Sequence, residues 1–238
     1  MRILALAAVL LACTLAHAQL DDVVKQAEDT VDHRDTSNLS DTKITSGLRE
    51  ALQISTGNAV AATGKPDGFL KNEAIKILLP PRFESVAKTA RMFGMGKPFD
   101  DLEVGMNRAA EASTPLAKEI FLAALKKMTF TDVRHILTGN DTAATDYFKR
   151  ASSADLTTAF TPVVHTSMEN VGLVAQYDRF LQDVPEASAI AQEFDLDKYV
   201  VGKTLDGLFY MLGEEEKKIR HHPFAQTTAL LKEVFGRK

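Results

Sequence analysis

Apolar side chains recur every three to four positions through almost the whole chain, and almost nowhere do they alternate. A period near 3.6 marks amphipathic helices, whereas alternation marks strands. Ser40 can cap a helix that carries Ile44, Leu48, Ala51, Leu52, Ala59 and Val60 on one face and stops near Gly64. Lys65-Pro66-Asp67-Gly68 reads as a turn. Ile75-Lys76-Ile77-Leu78-Leu79 precedes Pro80-Pro81, so the stretch Glu73 to Pro81 is expected as an extended linker rather than a strand. Phe83, Val86, Ala87 and Ala90 mark the next helix, stopped by Gly94-Met95-Gly96.

Pro98 begins another helix, with Leu102, Met106, Ala109 and Ala110 inward. Thr114-Pro115 reads as a cap and a first helical position, before Ile120, Phe121, Ala124 and Leu125. Thr129 or Thr131 starts a short helix ending at Gly139, and Asn140 caps one that carries Tyr147 and Phe148. Ser152 is expected to open the longest helix, with apolar positions at 156, 160, 163, 164, 167, 168, 171 and 174 and a kink at Pro162. Asp195 caps a helix with Val200, Val201, Leu205, Leu208, Phe209 and Leu212, and Pro223 begins the last, with Leu230, Leu231, Val234 and Phe235. The pattern predicts an all-α fold: one compact domain of nine to eleven helices, no substantial sheet and no repeat at solenoid spacing.

The first residues stand apart. Arg2 precedes a nearly unbroken apolar run from Ile3 to Leu15, then Ala16-His17-Ala18 offers small residues at the spacing signal peptidase reads. The run is too short for the roughly 20 residues that cross a bilayer as a helix. The expected organisation is therefore a signal peptide over 1–18, a helical lead-in over 19–39 and one all-α domain over 40–238. Cleavage after Ala18 places a soluble protein in the periplasm or outside the cell. The alternative is a lipoprotein anchored through Cys13, the chain's one cysteine. Simple cleavage leaves no cysteine, and with it no disulfide, thiol nucleophile or thiolate metal site.

Several stretches resemble the bacterial family known as domain of unknown function 4197, a group of exported proteins of about this length. They are Gly47-Leu48-Arg49-Glu50-Ala51-Leu52, Ile75-Lys76-Ile77-Leu78-Leu79-Pro80, Met106-Asn107-Arg108-Ala109-Ala110-Glu111 and Asp141-Thr142-Ala143-Ala144-Thr145-Asp146-Tyr147-Phe148. Leu205-Asp206-Gly207-Leu208-Phe209, Glu215-Glu216-Lys217-Lys218-Ile219-Arg220 and Leu231-Lys232-Glu233-Val234-Phe235-Gly236 continue the likeness, which spans residues 40–236 in order. Leu78 departs from the pattern, which has proline there. The resemblance implies export and a single domain, and it implies no activity.

Composition changes this picture little. Among 238 residues, 28 Lys+Arg against 32 Asp+Glu give −4, which is no footprint for nucleic acid or for a polybasic membrane binder. Ser85-Val86-Ala87-Lys88 has the S-x-x-K spacing of serine acyl-enzymes, but its companion elements are missing and an amphipathic helix makes the spacing readily. His33, His135, His165, His221 and His222 remain after cleavage. Asp132/His135 and His165/Glu169 share helix faces without a third ligand, and Asp195-x-Asp197 reads as an N-cap rather than a calcium loop. No metal or cofactor is expected.

The informative residues are polar ones embedded among apolar helix positions: Asn107, Arg108 and Glu111; Asp141, Thr145 and Tyr147; Asp206; and Glu216 with Arg220. A buried charge is costly unless paired and hydrogen-bonded. These groups are expected to tie helices together in an interior network. The other reading is a polar-lined pocket for a small anionic or amphiphilic ligand, with Arg108 and Arg220 as the anion contacts. The function expected is non-enzymatic binding of a small molecule or a protein; the alternative is a hydrolase using Glu111 and Asp206 as acid and base across one concave site.

Overall fold

A computed structural model describes residues 41–170 and 194–221. The leader with Cys13, the lead-in with His33, the Ser40 cap, positions 171 and 174, His222 and the helix expected after Pro223 lie outside the described residues. Seven α-helices follow one another: α1 Asp41–Thr63, α2 Pro81–Met92, α3 Lys97–Ser113, α4 Ala117–Lys127, α5 Phe130–Thr138, α6 Ala143–Asn170 and α7 Leu196–His221. A 3-10 turn, Thr114–Leu116, joins α3 to α4. No strand occurs among the described residues, and Lys76 to Pro80 is an extended linker. The chain divides into two units, Met1–Thr42 and Lys43–Lys238, and the first lies almost wholly outside the described residues.

The helix boundaries follow local chemistry. Pro81 stands at the start of α2 and Pro98 in the first turn of α3, where a missing N–H costs nothing. The Thr129 side chain accepts from the Asp132 N–H while the Asp132 side chain accepts from the Thr129 N–H, a reciprocal box that opens α5. Asp195 Oδ1 accepts from the Lys198 N–H at 2.9 Å and opens α7, as its spacing predicts. Thr114 does not open a helix: its hydroxyl donates back to the Ala110 carbonyl at 2.9 Å, at the end of α3.

Nine to eleven helices are not found among the described residues. Asn140 and Ser152 are each expected to open a helix, yet the chain runs as one helix from Ala143 to Asn170. Asn140 Oδ1 accepts from the Thr142 N–H just outside it, and the Ser152 hydroxyl donates to the Phe148 carbonyl inside it. Pro162 lies within α6 without ending it. The carbonyl that loses its N–H partner belongs to Thr158, and both residues are exposed, so water can take the vacant position.

Helix α6 is the middle of the fold, packing most extensively on α7 and α3 and also on α4 and α5. Its buried positions include Ala144, Phe148, Ser152, Leu156, Phe160, Val164 and Met168, a strict spacing of four. At 100° per residue such a row drifts by about 40° per step, so over its length it turns through roughly 240°. Successive parts of α6 therefore face different neighbours. Phe121 of α4 meets Phe148 edge-on at 5.1 Å between ring centres, and Phe209 of α7 lies 6.2 Å from Phe121.

Buried hydroxyls are satisfied within their own helices: Ser55, Thr56, Thr63 and Thr204 each donate to the carbonyl four residues back. The crossing between α1 and α2 is seated from outside. Phe69, fully buried, lies against Gly207 of α7, where an added Cβ would stand 2.6 Å from Phe69 Cε1 and 3.1 Å from Ile75 Cβ. Gly202, on the exposed side of the same helix, has nothing within 4 Å of that position. Gly202→Ala should stabilise the protein by about 0.5–1 kcal/mol through helix propensity, and Gly207→Ala should lose about 1–3 kcal/mol to overpacking. Urea unfolding of the two variants measures both, and equal gains would contradict the seating of Phe69.

Candidate functional site

The embedded polar residues form two separate constellations. The first lies on α3. Asn107 is fully buried, and its amide works in both directions on one residue of the linker: Oδ1 accepts from the Ile77 N–H at 2.9 Å and Nδ2 donates to the Ile77 carbonyl at 2.8 Å. Nδ2 donates as well to the Glu103 carbonyl. One turn on, Glu111 Oε1 accepts from the N–H groups of Phe69 and Leu70, each at 3.1 Å, and Oε2 accepts from Arg108 Nη1 at 2.6 Å. Arg108 Nη2 donates to Asp67 Oδ1 at 2.7 Å, and Lys71 Nζ holds Asp67 Oδ2 at 2.8 Å. The hydrogen bond to Lys71, and after it that to Arg108, keep the Asp67 carboxyl below its ordinary range. Asp67 itself has a φ of 64°, a left-handed conformation that aspartate tolerates better than most residues.

The second constellation gathers Asp141, Thr145, Glu216 and Arg220. Glu216 Oε1 accepts from the Ala144 N–H, and Oε2 accepts from the Thr145 N–H and hydroxyl, all at 2.9 Å. Its carboxylate thus sits on the positive end of α6 and meets N–H groups that no carbonyl of the helix can reach. Arg220 donates through Nε and Nη2 to Glu216 Oε1 at 3.1 and 2.8 Å, and through Nη2 to the Ile136 carbonyl near the end of α5 at 2.8 Å. Glu216 and Arg220 expose only 5% and 11% of their side chains, which makes this the more buried pair. His221 Nε2 stands 2.8 Å from Asp141 Oδ1 at the exposed rim.

Both constellations use the same device: one carboxylate takes two successive backbone N–H groups and one arginine. Tyr147 is not part of either; its hydroxyl donates to the Ala124 carbonyl at 2.9 Å, and burial raises its pKa. Two expectations need correction. Asp206 is 75% exposed, paired only loosely with Lys203 at 3.8 Å, because it falls on the outer face of α7 while Leu208 and Phe209 point inward. Arg108 is 40% exposed, since its long chain carries the guanidinium past Glu111 to the surface turn at Asp67. Glu111 therefore has no acid–base partner in Asp206. The guanidinium groups of Arg108 and Arg220 are likewise taken, by carboxylates and a carbonyl, where an anion would have to compete.

Other candidates resolve locally. Ser85 and Lys88 are exposed on α2. Asp132 is engaged by Thr129, His165 Nδ1 lies 2.7 Å from Asp197 Oδ2, and among the described residues no group of three or more His, Cys, Asp or Glu could hold a metal ion. Arg49, which its sequence context did not mark, donates to the Met128 carbonyl at 2.9 Å and ties α1 to the end of α4.

An open cleft of about 480 Å³ lies where the linker meets α2, α3 and α7. Leu78, Leu79, Pro81 and the ring of Tyr199 give it an apolar wall, Lys76, Arg91 and Lys203 bring cations to its edge, and Glu84 and Glu103 bring acids. Lys76 is held by Glu103 at 2.8 Å and Arg91 by Asp100 at 2.6 Å, whereas Lys203 is half exposed above the Tyr199 ring. The Tyr199 hydroxyl donates to the Leu78 carbonyl at 3.0 Å, and burial raises its pKa. The spacing of Tyr199 and Lys203, one helical turn apart, is the signal in the sequence; nothing there pairs them with Leu78. A second cleft, about 340 Å³, is lined by His135, Asp146, Tyr147 and Arg150 among others.

These features define an all-helical protein with a central helix and with loops clamped by buried carboxylates. The chain belongs to the family described as protein of unknown function (DUF4197), whose model matches residues 38–236. No curated protein and no solved structure matches it. Among the described residues no helix is long and apolar enough to cross a membrane.

The two members of the first tie should differ sharply in cost. Glu111→Ala leaves two backbone N–H groups and Arg108 without their acceptor and should lose about 3 kcal/mol or more. Arg108→Ala leaves Glu111 with both backbone donors and should lose about 1 kcal/mol, with the double variant little worse than Glu111→Ala alone. Denaturant unfolding reads this ranking, and the reverse order would refute it. His165 gives a pH test. Its hydrogen bond to Asp197, the charge of Asp197 and then that of Glu169 raise its pKa above the usual 6.5. The link it makes between α6 and α7 is therefore complete below pH 6.5 and is lost as pH rises through the raised value. The stability gap between the natural protein and His165→Ala should be widest in mild acid and close in alkali; a gap independent of pH would mean that the charge contributes nothing.

Proposed function

We propose that the protein is exported and acts without catalysis, by holding a small amphiphilic anion in the cleft between the linker, α2, α3 and α7. The observation that carries this reading is the pairing within that cleft of an apolar wall, Leu78, Leu79, Pro81 and Tyr199, with Lys203, a cation held only loosely, by Asp206 at 3.8 Å. An apolar tail laid along the linker would bring a carboxylate or phosphate head to Lys203. Export is supported by the leader grammar of residues 1–18, with its positive start, apolar run and Ala16-His17-Ala18. Of the carboxylates a hydrolase would use, Glu111 is in this reading structural, committed to backbone N–H groups and Arg108, and Asp206 lies exposed on the outer face of α7. Native mass spectrometry of the protein purified from its own exported fraction tests both halves. The expected species is a chain beginning at Gln19 with a retained anionic amphiphile that is missing from Lys203→Glu. A bare chain would sink the binding role, and a mass for acylated Cys13 would move the protein to a membrane surface by a lipid anchor.

A further inference from the structure

The turn that joins α2 to α3 carries the most exposed apolar side chains described in the molecule: Met92 at 78%, Phe93 at 71% and Met95 at 64%. Its backbone shows why they point outward. The Gly94 N–H donates to the Arg91 carbonyl at 3.1 Å and the Met95 N–H to the Ala90 carbonyl at 2.8 Å, the paired closure of a helix end through a left-handed residue. Gly94 supplies that residue, with φ of 75°. The turn is thus held by its own hydrogen bonds, and the three side chains are displayed on a fixed, convex tip.

Charge is distributed unevenly around it. The chain as a whole is acidic, but the stretch from Ser85 to Phe99 contains Lys88, Arg91 and Lys97 and no aspartate or glutamate. Glu84 stands just before it, and Asp100 and Asp101 stand just beyond it and pair with Arg91 and Lys97 at 2.6 and 2.5 Å, bracing the base of the hairpin. Lys88 is exposed one turn before the tip.

We propose that this tip is a membrane-contact site, in which Met92, Phe93 and Met95 enter the interface of a bilayer bearing anionic headgroups. Two physical arguments choose that partner over a protein. A specific protein interface buries about 800 Å² on each side, far more than three side chains on a convex turn can offer. Insertion into an interface needs only a small apolar wedge, a cation at headgroup level and backbone groups already hydrogen-bonded, which the three apolar side chains, the exposed Lys88 and the closure at Gly94 supply. The site is separate from the cleft and does not depend on its being a ligand site.

The chain contains no tryptophan, so Phe93→Trp makes a reporter free of background at an exposed position, with Tyr210→Trp, 49% exposed on α7, as its control. Each is carried in the full exported chain and mixed with phosphatidylethanolamine vesicles containing phosphatidylglycerol, or with phosphatidylcholine vesicles. The expected result is a blue shift of the Phe93→Trp emission on the anionic vesicles, quenching by brominated lipid, weakening with added salt, and no change in the Tyr210→Trp control. Adding Lys88→Glu should reduce vesicle affinity about fivefold or more. An unshifted spectrum on both vesicle types overturns the proposal, as does equal binding to phosphatidylcholine or an equal shift in the control. A blue shift without vesicles that grows with protein concentration also overturns it, and would assign the tip to a second copy of the chain.

Discussion

The first turn of α6 is buried, and a helix cannot supply acceptors for its own leading N–H groups. Glu216, from a helix more than seventy residues further along the chain, supplies them. Burying that carboxylate is tolerable because Arg220 neutralises it and, with the same guanidinium, takes a carbonyl at the end of α5. One ion pair thereby settles the polar ends of two helices against a third. Since α6 touches α3, α4, α5 and α7, the position of most of the core follows from how that one helix is begun.

Glu111 solves the same problem for a segment that is not a helix. Between α1 and α2 the chain is a run of turns followed by the extended stretch Lys76 to Pro80, and the N–H groups of Phe69, Leu70 and Ile77 are turned toward α3. Asn107 meets the N–H and the carbonyl of Ile77 as a neighbouring strand would, and Glu111 accepts from the two successive N–H groups of the turn at Phe69 and Leu70. The last part of this segment, Lys76 to Pro80, is extended but pairs with no strand among the described residues. It forms the wall of the open cleft, so the ties of α3 hold that wall without lining the cleft themselves.

Much of this was legible in the residues. The helical period, the caps at Thr129 and Asp195, the stop at Gly94 and the extended run before Pro80 are local signals, and local signals survive folding. The pairing of Arg108 with Glu111 and of Glu216 with Arg220 was legible for the same reason, as each lies within one helical turn. What was not legible is who stands opposite. Nothing near Asn107 names Ile77, and nothing near Glu216 names Ala144. Asp206 was misread because a charged residue between leucines is embedded in sequence while its side chain can still lie on the outer face. The division of α6 into two helices came from reading Ser152 as a helix start, whereas its hydroxyl donates back to the Phe148 carbonyl inside one continuous helix.

That rotating row also limits how the chain can change in length. Between Ala144 and Met168 the buried row turns around the helix, and the start of the helix is pinned by Glu216. Inserting or deleting one residue inside this stretch would turn everything beyond it by about 100° and move Phe160, Val164 and Met168 off their partners together. A substitution there disturbs one contact, whereas a change of length disturbs the whole remaining helix. An insertion or deletion inside α6 therefore costs more than a substitution there, which makes this helix the fixed ruler of the fold.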